Sequence, residues 1–204
     1  MKRIALIPMV LFSLYATAQR YTKTNTGLIV TVDDMQMEVQ FFSPRIIRVL
    51  RSPQGSSFTK ASLSVIKKPG VLHLDITQQG NIVYIKSNAV EAAVHLRTGS
   101  IAYSDRAGNA LLSEKEHGTQ LTATKDAGNS TYTVRQAFQL DKEEAIYGLG
   151  QQQNGQLNQR GQKVFLRQEN MKVCIPFFQS IKGYGVFWDN YSPTTFTEIG
   201  RAHV

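Results

Sequence analysis

Beyond Gln19 the chain alternates apolar and polar residues with period two over most of its length, and no long run keeps helical spacing. Met35, Met37, Val39 and Phe41 are separated by Gln36, Glu38 and Gln40. Successive strand side chains point to opposite faces, so these four apolar groups share one face, which the pattern predicts to be buried. The same reasoning picks out Leu28/Val30/Val32, Leu72/Leu74/Ile76, Val83/Ile85 and Val90/Ala92/Val94/Leu96, and later Tyr132/Val134/Phe138/Leu140 and Tyr184/Val186/Trp188. Between them lies turn chemistry: Ser52-Pro-Gln-Gly55, Lys68-Pro-Gly70, Gln79-Gly-Asn81, Arg97-Thr-Gly99, Asp105-Arg-Ala-Gly-Asn109 and Asp126-Ala-Gly-Asn129. Many short strands at close spacing predict an all-β sandwich or barrel. A length of 204 residues predicts one sizeable domain on one core.

The first residues follow a different rule. Lys2 and Arg3 precede an apolar run from Ile4 to Tyr15, and Ala16 and Ala18 are placed for A-x-A cleavage. Residues 1–18 are therefore predicted to be a signal peptide cut before Gln19, giving a secreted or periplasmic protein. The run is shorter than the roughly 20 apolar residues that span a bilayer, so no membrane association is expected after cleavage. Export permits disulfides, but Cys174 is the single cysteine and cannot pair within the chain. Its neighbours Val173 and Ile175 predict a small buried hydrophobe rather than a nucleophile.

Charge changes the picture little. Removing Lys2 and Arg3 from 23 basic residues leaves 21 against 15 acidic ones, about +6, and the basic residues are scattered. A nucleic-acid surface would show a basic stripe with stacking aromatics, so no nucleic-acid partner is expected. No Cys/His/acid cluster suggests a metal site, and no cofactor is implied. His73 and His95 fall on the polar faces of alternating strands and are expected to be solvated.

From Tyr147 the composition turns to Gly, Gln, Asn and aromatics, the palette of polar loops and also of sugar-binding surfaces. Here the chain carries an ordered series: Tyr147-Gly-Leu-Gly150, Leu157-Asn-Gln-Arg-Gly161, Gln168-Glu-Asn170, Ile175-Pro-Phe-Phe178, Lys182-Gly-Tyr-Gly-Val-Phe-Trp-Asp-Asn-Tyr-Ser192 and Thr194-Thr-Phe196. Ser43-Pro-Arg-Ile-Ile-Arg-Val49 and Thr98 to Gly108 with Leu111-Leu-Ser-Glu114 are weaker echoes. In order and spacing the series resembles the N-terminal domain of glycoside hydrolase family 31, the α-glucosidase and α-xylosidase family.

The resemblance implies a β-sandwich of galactose-mutarotase type, spanning 19–197, packed against a (β/α)8 barrel that carries an aspartate nucleophile and an aspartate acid. Both would lie beyond position 204, so no catalytic residue is expected in this chain, and its partners would be the barrel and an α-glucoside or α-xyloside. The family places one loop of this domain over the sugar site. Here that loop is Arg167-Gln-Glu-Asn-Met171, making Gln168 and Asn170 the candidate substrate-binding residues. Some relatives carry an acid near Gln168, and the competing expectation is that both amides only hold the loop's own backbone.

Other residues have plainer readings. Asp189 is expected to organise its turn through Asn190 and Ser192 rather than act as an acid. Gly183 and Gly185 are expected to let backbones approach. Phe177, Phe178, Phe187 and Trp188 are expected in a core or a domain interface. The Asn129 and Asn190 glycosylation sequons are read as chance. Residues 198–204, Glu-Ile-Gly-Arg-Ala-His-Val, leave the family pattern and back-translate to a sequencing adapter, so they are expected to be a non-native tail. Two rival functions remain: a free-standing carbohydrate-binding sandwich, and a mutarotase-like enzyme, which would need a histidine and a carboxylate facing into a cleft.

Overall fold

A computed structural model describes residues 21–56 and 61–198; the expected signal peptide and Ile199 to Val204 lie outside the described residues. Every element among them is a strand. β1 (Tyr21–Thr24), β2 (Gly27–Val32), β3 (Met35–Ser43) and β4 (Ile46–Pro53) form an antiparallel meander. A second meander runs through β5 (Asp75–Gln79), β6 (Ile82–Lys86), β7 (Val90–His95), β8 (Ile101–Asp105) and β9 (Ala110–Glu114). After β10 (Gln120–Asp126) and β11 (Asn129–Arg135), the short β12 (Phe138–Gln139) returns to pair with β9, completing a six-stranded sheet.

The two sheets close face to face as the alternation requires. Leu28, Val30, Met37, Val39 and Phe41 from one meet Val83, Ile85, Ala92, Val94 and Ile101 from the other in a single buried cluster. Register puts Leu28 opposite Val39 and Val30 opposite Met37, so cross-strand partners share the inner face. Polar bridges fasten the two sheets to each other at both ends of the strand order. Lys23 Nζ donates to Ile76 O from β1 to β5 at 3.2 Å, and Arg51 of β4 reaches Glu114 of β9 at 2.5 Å.

That second bridge is buried. Glu114 Oε2 also accepts the Ile101 amide at 3.1 Å, and Tyr103 hydrogen-bonds to the same carboxylate. Burial pushes the Glu114 carboxyl above its ordinary value, although the Arg51 guanidinium pulls it back. Burial, and then the Glu114 charge, raise the Tyr103 phenol.

A second cluster follows, where the sequence predicts one core. β13 (Ile146–Gln151), β15 (Val173–Ser180) and β16 (Gly185–Phe187) form one sheet, and β14 (Lys163–Leu166) pairs with β17 (Thr194–Thr197). Ile146, Leu149, Val164, Leu166 and Phe178 bury themselves between these layers with Leu140, Val186 and Phe196 against them. The Gly-rich segment thus contributes a strand before the polar loop begins at Gln152. Gly150 has φ +85°, and a Cβ there would lie 2.0 Å from Val173 O, so only glycine lets β13 approach β15.

The predicted inward face of Tyr132/Val134/Phe138/Leu140 divides. Phe138 packs edge-on against Phe178 at 6.5 Å and Leu140 joins the second cluster, but Tyr132 and Val134 are 46% and 40% exposed. Among the described residues β10 and β11 pair only with each other, and the side that carries Tyr132 and Val134 stands open.

Candidate functional site

Four of the motif segments, those containing Gln168, Pro176, Trp188 and Thr194, meet where β14 ends, β15 begins and the chain leaves β16. Pro176 explains the last of these. Its carbonyl accepts the Trp188 amide at 2.8 Å, but it has no N–H to return, so the Trp188 carbonyl takes the Asn190 amide at 2.8 Å instead. β16 therefore stops at Phe187 and the chain turns. Asn190 Oδ1 accepts the Ser192 amide at 2.9 Å, so Asn190 rather than the expected Asp189 organises the turn.

Between β14 and β15, residues 168–172 form a closed loop. Gln168 Nε2 donates to Lys172 O at 2.7 Å, and Gln168 Oε1 accepts the Cys174 amide at 3.0 Å. A second strap, Lys172 N to Glu169 O, is backed by the Lys172–Glu169 ion pair at 3.4 Å. The amide of Gln168 thus serves its own backbone, while Asn170 stands exposed at the tip. The structure places the two candidates in one turn with different environments.

Beside this loop is a cavity of about 300 Å³ lined by Arg167, Gln168, Trp188, Asp189, Asn190 and Tyr191, among others. The indole Nε1 of Trp188 is buried and meets no acceptor among the described residues. Asp189 is the one carboxylate in the lining. A retaining glycosidase requires two carboxyl groups about 5 Å apart, so this lining offers polar contacts and ring surface but not that pair. Arg167 and Tyr191 lie within the loop and the motif segment legible in the sequence, but only the fold brings them to one cavity.

The remaining candidates resolve individually. His73 is exposed on the surface beside Asp75 at 3.6 Å, and His95 Nδ1 accepts the Thr98 amide at 3.2 Å inside its own turn. His95 is therefore half-buried and structural rather than freely solvated, and neither histidine lines the cavity beside residues 168–172. Cys174 is half-buried against the second cluster. Gly185 allows close approach, as expected, since a Cβ there would meet the Phe177 ring at 2.6 Å; Gly183 instead supplies φ +84° in open space. Among the described residues no group of three His, Cys, Asp or Glu could hold a metal.

One buried carboxylate braces the sheet. Glu144 accepts the Ser180 hydroxyl at 2.5 Å and the Tyr184 hydroxyl, and its other oxygen takes the Asp141 amide at 3.0 Å. Burial, then the Glu144 hydrogen bond, push the Tyr184 phenol up. On the outer face of the same sheet the polarity reverses: Val173, Ile175 and Phe177 point outward, and Phe187 lies opposite Phe177.

Comparison with known proteins identifies this architecture. Residues 36–196 match the family model of the glycosyl hydrolase 31 N-terminal galactose mutarotase-like domain. An α-xylosidase of Saccharolobus solfataricus is 29% identical over 171 residues, covering 79% of this chain and 23% of that protein. The crystal structure of a family 31 α-xylosidase from Xanthomonas citri superposes with a TM-score of 0.80 at 31% identity, over 85% of this chain and 19% of that one. A soil-metagenome α-xylosidase of the same family, solved with xylose, shares the fold with a TM-score of 0.76 at 21% identity, over 88% of this chain and 29% of that one. The chain spans less than a third of the length of each of these relatives. Sandwich, motif series and family model agree: the chain belongs to glycoside hydrolase family 31, as its N-terminal galactose-mutarotase-like domain.

Proposed function

We infer that this chain is the N-terminal, non-catalytic part of an exported retaining α-glycosidase that acts on α-xylosides or α-glucosides. The observation that carries the reading is the family match over residues 36–196, joined to relatives that are named α-xylosidases and are several times longer. The cavity chemistry is consistent with it, because a single lining carboxylate cannot serve as both nucleophile and acid. In this reading residues 167–171 stand over the sugar site of a catalytic barrel. Asn170, with its side chain at the exposed tip, would meet the sugar, and Gln168 would hold that tip in place.

Release of xylose or glucose from α-xylosides and α-glucosides tests the reading. The full-length reading frame is expected to hydrolyse one of these classes with retention, and the purified 204-residue chain to show no turnover above a vector control. Turnover by the chain alone, or none by the full-length protein, overturns it. Amino-terminal sequencing of the exported protein is expected to begin at Gln19.

A further inference from the structure

We propose that the end of the sandwich where three turns meet is a binding site for an anionic sugar, one whose charge is a carboxylate or a phosphate ester. The turns join β3 to β4, β6 to β7 and β8 to β9. They bring Ser43, Pro44, Arg45, Asn88, Ala89 and Arg106 around a cavity of about 460 Å³. That volume falls within the range of about 300–1,000 Å³ typical of small-molecule sites. The lining shares no residue with the cavity beside residues 168–172.

Two guanidinium groups and no carboxylate line this cavity. Among the described residues the side chains of Arg45 and Arg106 have no hydrogen-bond or ion-pair partner, whereas Arg48 lies over the Phe42 ring and Arg51 holds Glu114. The carboxylates nearest in sequence are already occupied. Asp105, next to Arg106, takes the Ala107 and Asn109 amides on Oδ1 at 2.8 and 2.9 Å and the Asn109 side-chain amide on Oδ2 at 2.8 Å. Glu91 pairs with Lys86 at 3.2 Å. A guanidinium fork matches a carboxylate or a phosphate through two parallel N–H bonds, so the chemistry that completes this cavity is an oxyanion.

The walls are set before anything binds. Ser87 Oγ donates to Pro44 O at 2.7 Å, tying a turn of one sheet to a turn of the other, and it accepts the Ala89 and Val90 amides at 3.1 and 3.0 Å. Ser43 Oγ accepts the Arg45 amide at 3.3 Å. Asn88 is exposed beside the two arginines, and its side-chain amide has no partner among the described residues. Such an amide offers donors and an acceptor together, which suits the hydroxyls of a sugar. No aromatic ring lines the cavity, so charge and hydroxyls rather than stacking carry the recognition.

Amide NMR of the 204-residue chain tests this, with glucuronate, glucose 6-phosphate, glucose and inorganic phosphate as probes. Glucuronate or glucose 6-phosphate is expected to shift the Arg45, Asn88 and Arg106 amides saturably, at least about fivefold tighter than inorganic phosphate, with no shift from glucose. Whichever of the two binds tighter identifies the charged group. Arg45→Ala and Arg106→Ala are each expected to weaken binding at least about tenfold, the worth of a hydrogen bond between charged groups. Both side chains are exposed, so the variants keep the fold, which unshifted Val30 and Val94 amides report. Inorganic phosphate binding as tightly as both charged sugars reduces the site to a general anion contact and overturns the sugar assignment. No shift at these amides, equal shifts with glucose, or unchanged binding in both variants overturns the site. Each of these outcomes leaves the glycosidase reading standing, because that reading is tested by turnover in the full-length protein.

Discussion

Removing the Glu114 carboxylate should separate the cost of breaking a buried ion pair from the worth of having one. Glu114 and Arg51 have side chains only 3% and 11% exposed and join the two sheets of the sandwich at 2.5 Å. Glu114→Ala deletes the acceptor for Arg51, for the Ile101 amide and for Tyr103 together. Stripping one partner from a buried pair costs about 3–5 kcal/mol, roughly a fifth or more of a typical domain's total stability of about 5–15 kcal/mol. Glu114→Gln keeps an acceptor oxygen but leaves the Arg51 guanidinium without its counter-charge, so its cost at neutral pH is expected to fall between zero and that of Glu114→Ala. The double variant Arg51→Met/Glu114→Leu replaces the pair with apolar groups and should recover most of what Glu114→Ala loses. Urea unfolding of the four proteins, with the slope held constant, reads these differences. A Glu114→Ala cost below about 1 kcal/mol would refute the reasoning, since it would mean that Arg51 finds solvent without the sandwich opening.

The same carboxyl makes a pH prediction. Its folded value lies above the unfolded one, so the native state holds this proton to higher pH. Its contribution to stability is full below the unfolded value and is lost as pH rises through the folded one. The stability of the wild type relative to Glu114→Gln is therefore expected to fall from acidic toward neutral pH; a flat or rising difference in urea titrations would contradict it. Gly150→Ala should cost at least about 2 kcal/mol in the same assay, because φ +85° strains alanine and the new Cβ meets Val173 O. Gln168→Glu places a carboxylate oxygen against the Lys172 carbonyl, and should speed amide exchange at Cys174 in residues 168–174 while leaving Val30 and Val94 protected. The β10–β11 ribbon, paired only with itself, should exchange its amides within seconds, whereas β3 and β7 hold theirs far longer.

What the sequence reveals is divided by how local each signal is. Alternation places Leu28, Met37, Val83 and Val94 inside because the period of a strand is written in adjacent residues. The same alternation misplaces Tyr132 and Val134, since it shows that a ribbon has an apolar side but not whether another layer covers it. Arg51 and Glu114 are 63 positions apart, and nothing near either one announces the other. At the candidate site Gln168 stands out through the family motif, yet the use of its amide depends on where Lys172 and Cys174 return. The turn at Trp188 was hidden for a similar reason: Pro176 ends a ladder twelve residues downstream of itself.

The Gln168 clamp bears on the entropy of recognition. An open loop of five residues must surrender its backbone freedom when something lands on it, at roughly 1–2 kcal/mol per residue fixed. Here the two ends are already tied to each other through one side chain, so that loss is incurred during folding. A sugar that met Asn170 in the proposed way would encounter a tip whose position is set beforehand, and the free energy of that contact would be available for discrimination between ligands rather than for ordering the loop.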